Sequence, residues 1–146
     1  MAQRYMLDTN TASYIIKGNV PDVRKNLLTI PMEQVCISVI TQAELLFGVA
    51  RRPDAKGLHI AVNEFLLRLD ILPWNSSAAE RYAALRAECE RKGKILGSMD
   101  MMIAAHAISS NATLVTNDQA FHSIKTYLTL ADWTKRKWKP VRSRHE

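Results

Sequence analysis

The sequence predicts an α/β fold with a central, mainly parallel five-stranded sheet, and three features carry that prediction. Short strand-like runs alternate with helical segments along the whole chain, the pattern that parallel sheets require. One helical segment, "DMMIAAHAISS" (100–110), is apolar nearly all round, as a helix buried between a sheet and its neighbours would be. The 146 residues contain no repeat, low-complexity tract or linker, and that length forms one domain with a sizeable core.

In chain order, "RYML" (4–7), "QVCIS" (34–38), "DIL" (70–72), "ATLV" (112–115) and "YLTL" (127–130) read as the five strands. Between the first two, "TASYIIKG" reads as a helix stopped by Gly18. "PDVRKNLLTI" reads as another, with Pro21 in the first turn, where its missing N–H is harmless. "VITQAELLFGVARR" (39–52) follows the second strand directly. The clearest helix is "SSAAERYAALRAECERKG" (76–93): Ser77 and Glu80 form a capping box, Gly93 is the C-terminal stop, and Ala79, Tyr82, Leu85, Arg86 and Cys89 recur at helical spacing.

Composition narrows the function classes. Hydrophobic residues at 47% and charged residues at 23% are ordinary for a soluble globular chain, and no apolar run reaches membrane-spanning length. Asp8 and Asn10 interrupt any signal-peptide core, so the expected compartment is the cytoplasm, without membrane attachment. Cys36 and Cys89 lie far apart in core-facing segments and read as reduced, packed thiols. The net charge of +6 is uneven: residues 134–146, "TKRKWKPVRSRHE", contribute +5 and the other 133 residues only +1. The chain thus divides into a domain at 1–133 and a basic tail at 134–146. Its embedded Trp138 suits stacking on a base of a polyanion, and a solvated terminus is the plainer alternative.

Four carboxylates occupy unusual settings. Asp8 ends the first strand, Glu44 lies among apolar residues inside the helix after the second, Asp100 opens the very apolar helix, and Asp118 follows the fourth strand. Singly, most have plain explanations: helix capping for Asp8, a favourable helix N-terminus for Asp100, a turn for Asp118. Glu44 is explained by none of these, though it could face solvent beside Gln42. In a parallel sheet, however, Asp8 and Asp118 emerge at one edge, and the helix acids can lean toward it. Clustered carboxylates must protonate or hold a cation, and an all-oxygen donor set suits Mg²⁺ or Mn²⁺ and phosphoryl chemistry. Thr9, Asn10, Thr116 and Asn117 flank the acids and could orient waters or carboxylates there. His59, His106, His122 and His145 show no metal-ligand spacing and read as packing or surface residues. His106 is off the face of Asp100, and Met101 and Met102 read as core filling.

In that order the pieces "YMLDTN" (5–10), "CISVITQAELLFGV" (36–49), "GSMDMMIAAHA" (97–107), "LVTNDQAF" (114–121) and "LADW" (130–133) resemble the PIN-domain ribonucleases, most closely the VapC toxins of bacterial toxin–antitoxin pairs. The resemblance spans residues 4 to about 133. It implies a three-layer α/β/α sandwich, an acidic metal site of Asp8, Glu44, Asp100 and Asp118 supported by Thr116, and Mg²⁺- or Mn²⁺-dependent endoribonuclease activity on single-stranded loops. Asp118 departs from the asparagine found in many relatives. Enteric-type toxins of the family cut the anticodon loop of initiator tRNA. The family further implies a homodimer, a cognate VapB-type antitoxin covering the acidic pocket, and operator DNA bound only through that antitoxin. The basic pair Arg51–Arg52 and the run "RKGK" (91–94) are the remaining places where an RNA backbone could be gripped.

Two other classes fit the sequence less well. A haloacid-dehalogenase-type phosphatase needs DxDx(T/V) after its first strand, and Asn10 stands where its second aspartate belongs. A binding module in a DNA-bound repressor complex, with idle chemistry, conflicts with intact acids. Within the nuclease reading, a housekeeping RNA-processing role is the alternative to a toxin.

Overall fold

A computed structural model describes residues 3–140. Its sheet has five strands, β1 (Arg4–Leu7), β2 (Val35–Ser38), β3 (Asp70–Leu72), β4 (Ala112–Val115) and β5 (Leu130–Ala131), in the order β3-β2-β1-β4-β5. All four pairings are parallel. The chain winds outward from β1 through β2 to β3, then returns across the sheet to β4. The crossover point therefore lies between β1 and β4, where parallel sheets open a crevice beyond their carboxyl ends.

The helices are α1 (Thr9–Lys17), α2 (Pro21–Leu27), α3 (Val39–Ala50), α4 (Lys56–Leu67), α5 (Ser76–Arg91) and α6 (Ser98–Ser109). Successive strand residues point to opposite faces, which builds two cores. Tyr5, Leu7, Val35 and Ile37 pack with residues of α1 to α4. Met6, Cys36 and Leu114 pack with Leu85, Cys89 and the apolar side of α6. Helices cover both faces of the sheet, which makes three layers. Both cysteines are buried and unpaired, and burial pushes the Cys36 thiol up to about 12. No helix among the described residues is long and apolar enough to cross a membrane.

Several expectations needed correction. Helix α4 escaped the sequence reading because "KGLHIAVNEFLL" has only one fully buried residue, Val62, and leaves Ile60 and Leu67 exposed, so its apolar pattern does not mark one face. Helix α5 is capped by Asn75, whose side-chain oxygen accepts from Ala78 N at 3.1 Å, and not by a Ser77–Glu80 box. Packing against α6 selects Ala78, Tyr82, Leu85 and Cys89 as the inward stripe and leaves Ala79 and Arg86 in solvent. The last strand is Leu130–Ala131 and not 127–130, because Tyr127 closes a turn on Ile124 and only the residues after it come alongside β4. Helix α2 stops at Leu27, and the Thr29 hydroxyl bonds the Asn26 carbonyl just past it. Gly18 does end α1, in the left-handed conformation at φ 69°.

Trp138 is half-buried and belongs to an aromatic cluster of the domain. It packs against Tyr5 and Trp133, with ring centroids 5.8 and 5.5 Å away. The Asn26 side chain donates to the carbonyls of Trp133 and Lys135, so the start of the basic segment is tied to α2. His145 and residues 141–146 of the tail lie outside the described residues.

The capping assignment has a direct check. Asn75→Ala should lower unfolding stability by about 1 kcal/mol, while Ser77→Ala should change it little. Denaturant titration of the two variants compares them; equal losses would restore the capping box.

Candidate active site

Residues Leu7 and Val115 are register partners, so the chain leaves β1 and β4 side by side at the crossover. Asp8 is the next residue on one strand and Thr116 on the other. Asp8 N donates to the Val115 carbonyl at 3.0 Å, and the Thr11 hydroxyl donates to the same carbonyl at 3.1 Å. Asp8 is also the N-cap of α1: its Oδ1 accepts from Thr11 N at 2.8 Å. Capping and a place at the crossover coexist, because the residue that starts α1 is also the one that follows β1. Only 4% of Asp8 is exposed. Burial raises its pKa, against the hydrogen bonds of Thr116 and Thr11, and the Asp118 charge adds to the rise.

Thr116 is buried and serves two neighbours. Its hydroxyl faces the Asp8 carboxylate and accepts from Asp118 N at 3.0 Å. Asp118, half-buried, caps the 3₁₀ turn Gln119–Ile124 through Oδ1, which accepts from Ala120 N at 2.9 Å. Asp118 thus makes the turn that sequence alone allowed, and also stands beside the other acids.

Glu44 is the sixth residue of α3 and half-buried. The Thr9 hydroxyl donates to its Oε1 at 2.5 Å and lies 3.3 Å from the Thr41 hydroxyl. Thr9 therefore fixes Glu44 toward the start of α1 and away from solvent. Asp100 sits in the first turn of α6, where the helix dipole favours its charge. Its pKa is nevertheless raised, first by burial and then by the charges of Asp118, Asp8 and Glu44. Asp100 is the carboxylate on which the other three act. Asn10 is exposed, and Asn117 reaches Tyr14 at 3.5 Å, so neither is held against the acids.

No lysine or arginine forms an ion pair with any of the four acids among the described residues. Nor do three His, Cys, Asp or Glu side chains among them already stand at metal-holding positions. Among the described residues the acids thus have no cationic side chain to compensate them, and like charges without a cation repel one another. The donor set is all oxygen, which fits Mg²⁺ or Mn²⁺ and not a softer metal.

His106 was expected to be a packing residue, and it is buried, but it also makes a specific link. Its Nδ1 lies 2.7 Å from the Ser38 hydroxyl, and burial lowers its pKa, with the Pro73 backbone acting against that fall. Ser38 Oγ in turn accepts from Ile40 N at 3.0 Å and caps α3. The helix carrying Asp100 is thereby pinned to the start of the helix carrying Glu44. Sequence reasoning missed this pairing. The signal available was Ser38, a capping residue type between a strand and a helix.

Two pH effects follow. For Asp8 and Asp100 the folded pKa lies above the unfolded value near 4, so their favourable contribution exists below that value and is lost as pH rises through the folded one. In EDTA, Asp100→Asn should therefore be more stable than wild type at neutral pH, with the gain vanishing below about pH 4. Chemical denaturation across pH reads this; a destabilised Asp100→Asn at pH 7 would contradict the repulsion. For His106 burial depresses the folded pKa, so stability is present above the unfolded value and is lost as pH falls. Wild-type stability should decline below about pH 6.5. His106→Gln should lack that part of the slope, and an unchanged slope would count against the neutral imidazole.

Comparisons with known proteins agree with this geometry. The PIN-domain family model, described as "PIN domain", matches residues 5–126. Ribonuclease VapC2 of Rickettsia felis is 39% identical over 133 residues, covering 90% of this chain and 98% of that protein. The tRNA(fMet)-specific endonuclease VapC of Salmonella typhimurium is 37% identical over 131 residues, covering 89% and 98%. Among solved structures, the Rickettsia felis VapBC2 complex bound to a DNA fragment from its promoter matches with a TM-score of 0.83 and 37% identity, over 90% of this chain and 99% of that one. The DNA-bound VapBC of Salmonella typhimurium matches at 0.82 and 32%, over 90% and 99%. With its parallel sheet, its acids at the crossover and these relatives, the chain belongs to the PIN-domain family and, within it, to the VapC ribonucleases.

Proposed function

We propose that this chain is the toxin of a toxin–antitoxin pair, a divalent-metal-dependent endoribonuclease that hydrolyses phosphodiester bonds in single-stranded RNA loops, with the anticodon loop of initiator tRNA as its target. The observation that carries the chemistry is the convergence of Asp8, Glu44 and Asp118 on Asp100 with no basic side chain paired to them. The tRNA target is supported by the name of the Salmonella relative, at 37% identity.

Asp8, Glu44, Asp100 and Asp118 would hold the ion, which is Mg²⁺ or Mn²⁺ on the donor chemistry. When bound, it supplies Lewis-acid polarisation of the phosphate and a more acidic water. The chain's own groups do the positioning. Thr116 and Thr11 N fix Asp8, Thr9 fixes Glu44, and the Ser38–His106 link keeps α3 and α6 at constant separation. Asp100, the acid most opposed by its neighbours, gains most when a cation neutralises the cluster. A loop is the fitting substrate because its bases and backbone can be splayed into a crevice, whereas an A-form stem cannot.

The partner is a VapB-type antitoxin, supported by the VapBC complexes among the structural relatives. A groove of about 180 Å³ beside Glu44, with Ile16, Leu45, Leu58 and Val62 on its apolar side, is where its chain would lie. Operator DNA is contacted through that antitoxin, the toxin is a homodimer, and the complex works in the cytoplasm where its tRNA substrate is found.

The test is cleavage of total RNA and of transcribed initiator and elongator methionine tRNAs by purified protein, with Mg²⁺, Mn²⁺ or EDTA, mapping new 5′ ends. Cuts confined to the initiator anticodon loop are expected. They should disappear in EDTA and fall by about two to three orders of magnitude in Asp8→Asn, as when an electrostatic group is removed from an active site. A fully active Asp8→Asn would remove the metal-site reading. Equal cutting of both tRNAs would remove the initiator target.

A further inference from the structure

The segments that carry Asp100 and Asp118 are joined by a basic and aromatic rim. Helix α5 ends in a Schellman motif: Gly93 adopts φ 68°, Lys94 N donates to the Cys89 carbonyl at 2.8 Å, and Gly93 N to Glu90 at 3.2 Å. This turn fixes the exit of Lys94, six residues before Asp100. The Lys94 ammonium donates to the Ser123 carbonyl, in the 3₁₀ turn that begins on Asp118. Tyr127 is anchored to the same turn through its N–H on Ile124 at 2.9 Å, and its side chain remains 36% exposed.

Two cations approach the Tyr127 ring and leave the residue partly exposed. Lys92 Nζ lies 2.7 Å from the phenol oxygen and 5.4 Å from the ring centroid, which puts it beyond the hydroxyl and in line with the ring. Lys94 Nζ stays 5.9 Å from the centroid, engaged by Ser123. Glu88 also takes part: it accepts from Lys92 at 3.0 Å and from the phenol at 3.3 Å, and pairs with Arg91. One carboxylate thus faces Arg91, Lys92 and Lys94, and the rim stays cationic.

A pocket of unpaired carboxylates repels the polyanion it must cut. A cationic rim on the Asp100–Asp118 side offsets that repulsion, and an aromatic ring held upright within it offers a surface to an unpaired base. We propose that Tyr127, Lys92 and Lys94 form a guide for single-stranded RNA, with a base stacking on the phenol ring and the two lysines meeting the adjoining phosphates. The guide rests on the ribonuclease reading and adds to it the route by which the strand reaches the acids. A duplex cannot use the ring, because its bases are already stacked.

The experiment is fluorescence anisotropy of the full chain carrying Asp8→Asn, with a short fluorescein-labelled oligoribonucleotide of mixed sequence, either single-stranded or annealed to its complement, across a salt series. Tyr127→Ala should weaken single-strand binding by about 5- to 100-fold, while Tyr127→Phe, which keeps the ring, should bind like the parent. Lys94→Gln should reduce the salt slope by about 0.7. Duplex binding should be unaffected by the Tyr127 substitutions. Thermal denaturation of each variant separates binding loss from unfolding. Parent-like binding by folded Tyr127→Ala, or an equal loss on duplex, would overturn the guide. If the unsubstituted protein cleaves RNA in that case, the ribonuclease reading survives alone. If it neither binds nor cleaves RNA with Mg²⁺ or Mn²⁺, both readings fall.

Discussion

The pairing of β1 with β4 governs everything else in this molecule. Because Leu7 aligns with Val115, Asp8 and Thr116 leave the sheet as neighbours, and the backbone bond from Asp8 N to Val115 extends that alignment past the carboxyl ends of the two strands. A slip of one residue would reverse the facing of every side chain beyond it and carry Asp8 away from Thr116. The two buried faces prevent the slip: Met6 and Leu114 belong to one core, Leu7 and Val115 to the other.

On that platform the acids are held by small hydroxyl residues and by the backbone, not by cations. Asp8 and Asp118 each give one oxygen to a local cap, and Glu44 gives one to Thr9. Such partners are neutral, so they orient a carboxylate without cancelling its charge. The acids therefore keep their mutual repulsion, which adds to burial in raising the pKa of Asp100. An arginine in the same place would orient as well but would cancel that charge.

The buried histidine has a comparable logic. A neutral imidazole between Ser38 and Pro73 ties α6, the start of α3 and the loop after β3 with directional bonds in a region otherwise packed by apolar contacts. Apolar packing fixes distances loosely, whereas hydrogen bonds fix orientation. Asp100 and Glu44, one on each linked helix, inherit that geometry.

The sequence by itself determined the α/β class and four strand positions to within a residue, because these rest on local patterns: apolar runs, a helix start at Pro21 and a helix stop at Gly18. It could not place α4, since a helix with one fully buried residue carries little periodic signal, and it chose Ser77 over Asn75 because both residue types cap equally well. Trp138 looked available on composition alone, and only the tertiary structure put it against Tyr5 and Trp133. The link from His106 to Ser38, the hold of Thr9 on Glu44 and the rim around Tyr127 were likewise decided in three dimensions. Each joins residues at least 29 positions apart, and nothing in the chain between them encodes the contact. Local pattern specifies what a segment becomes, and the packing of the segments decides which side chains meet.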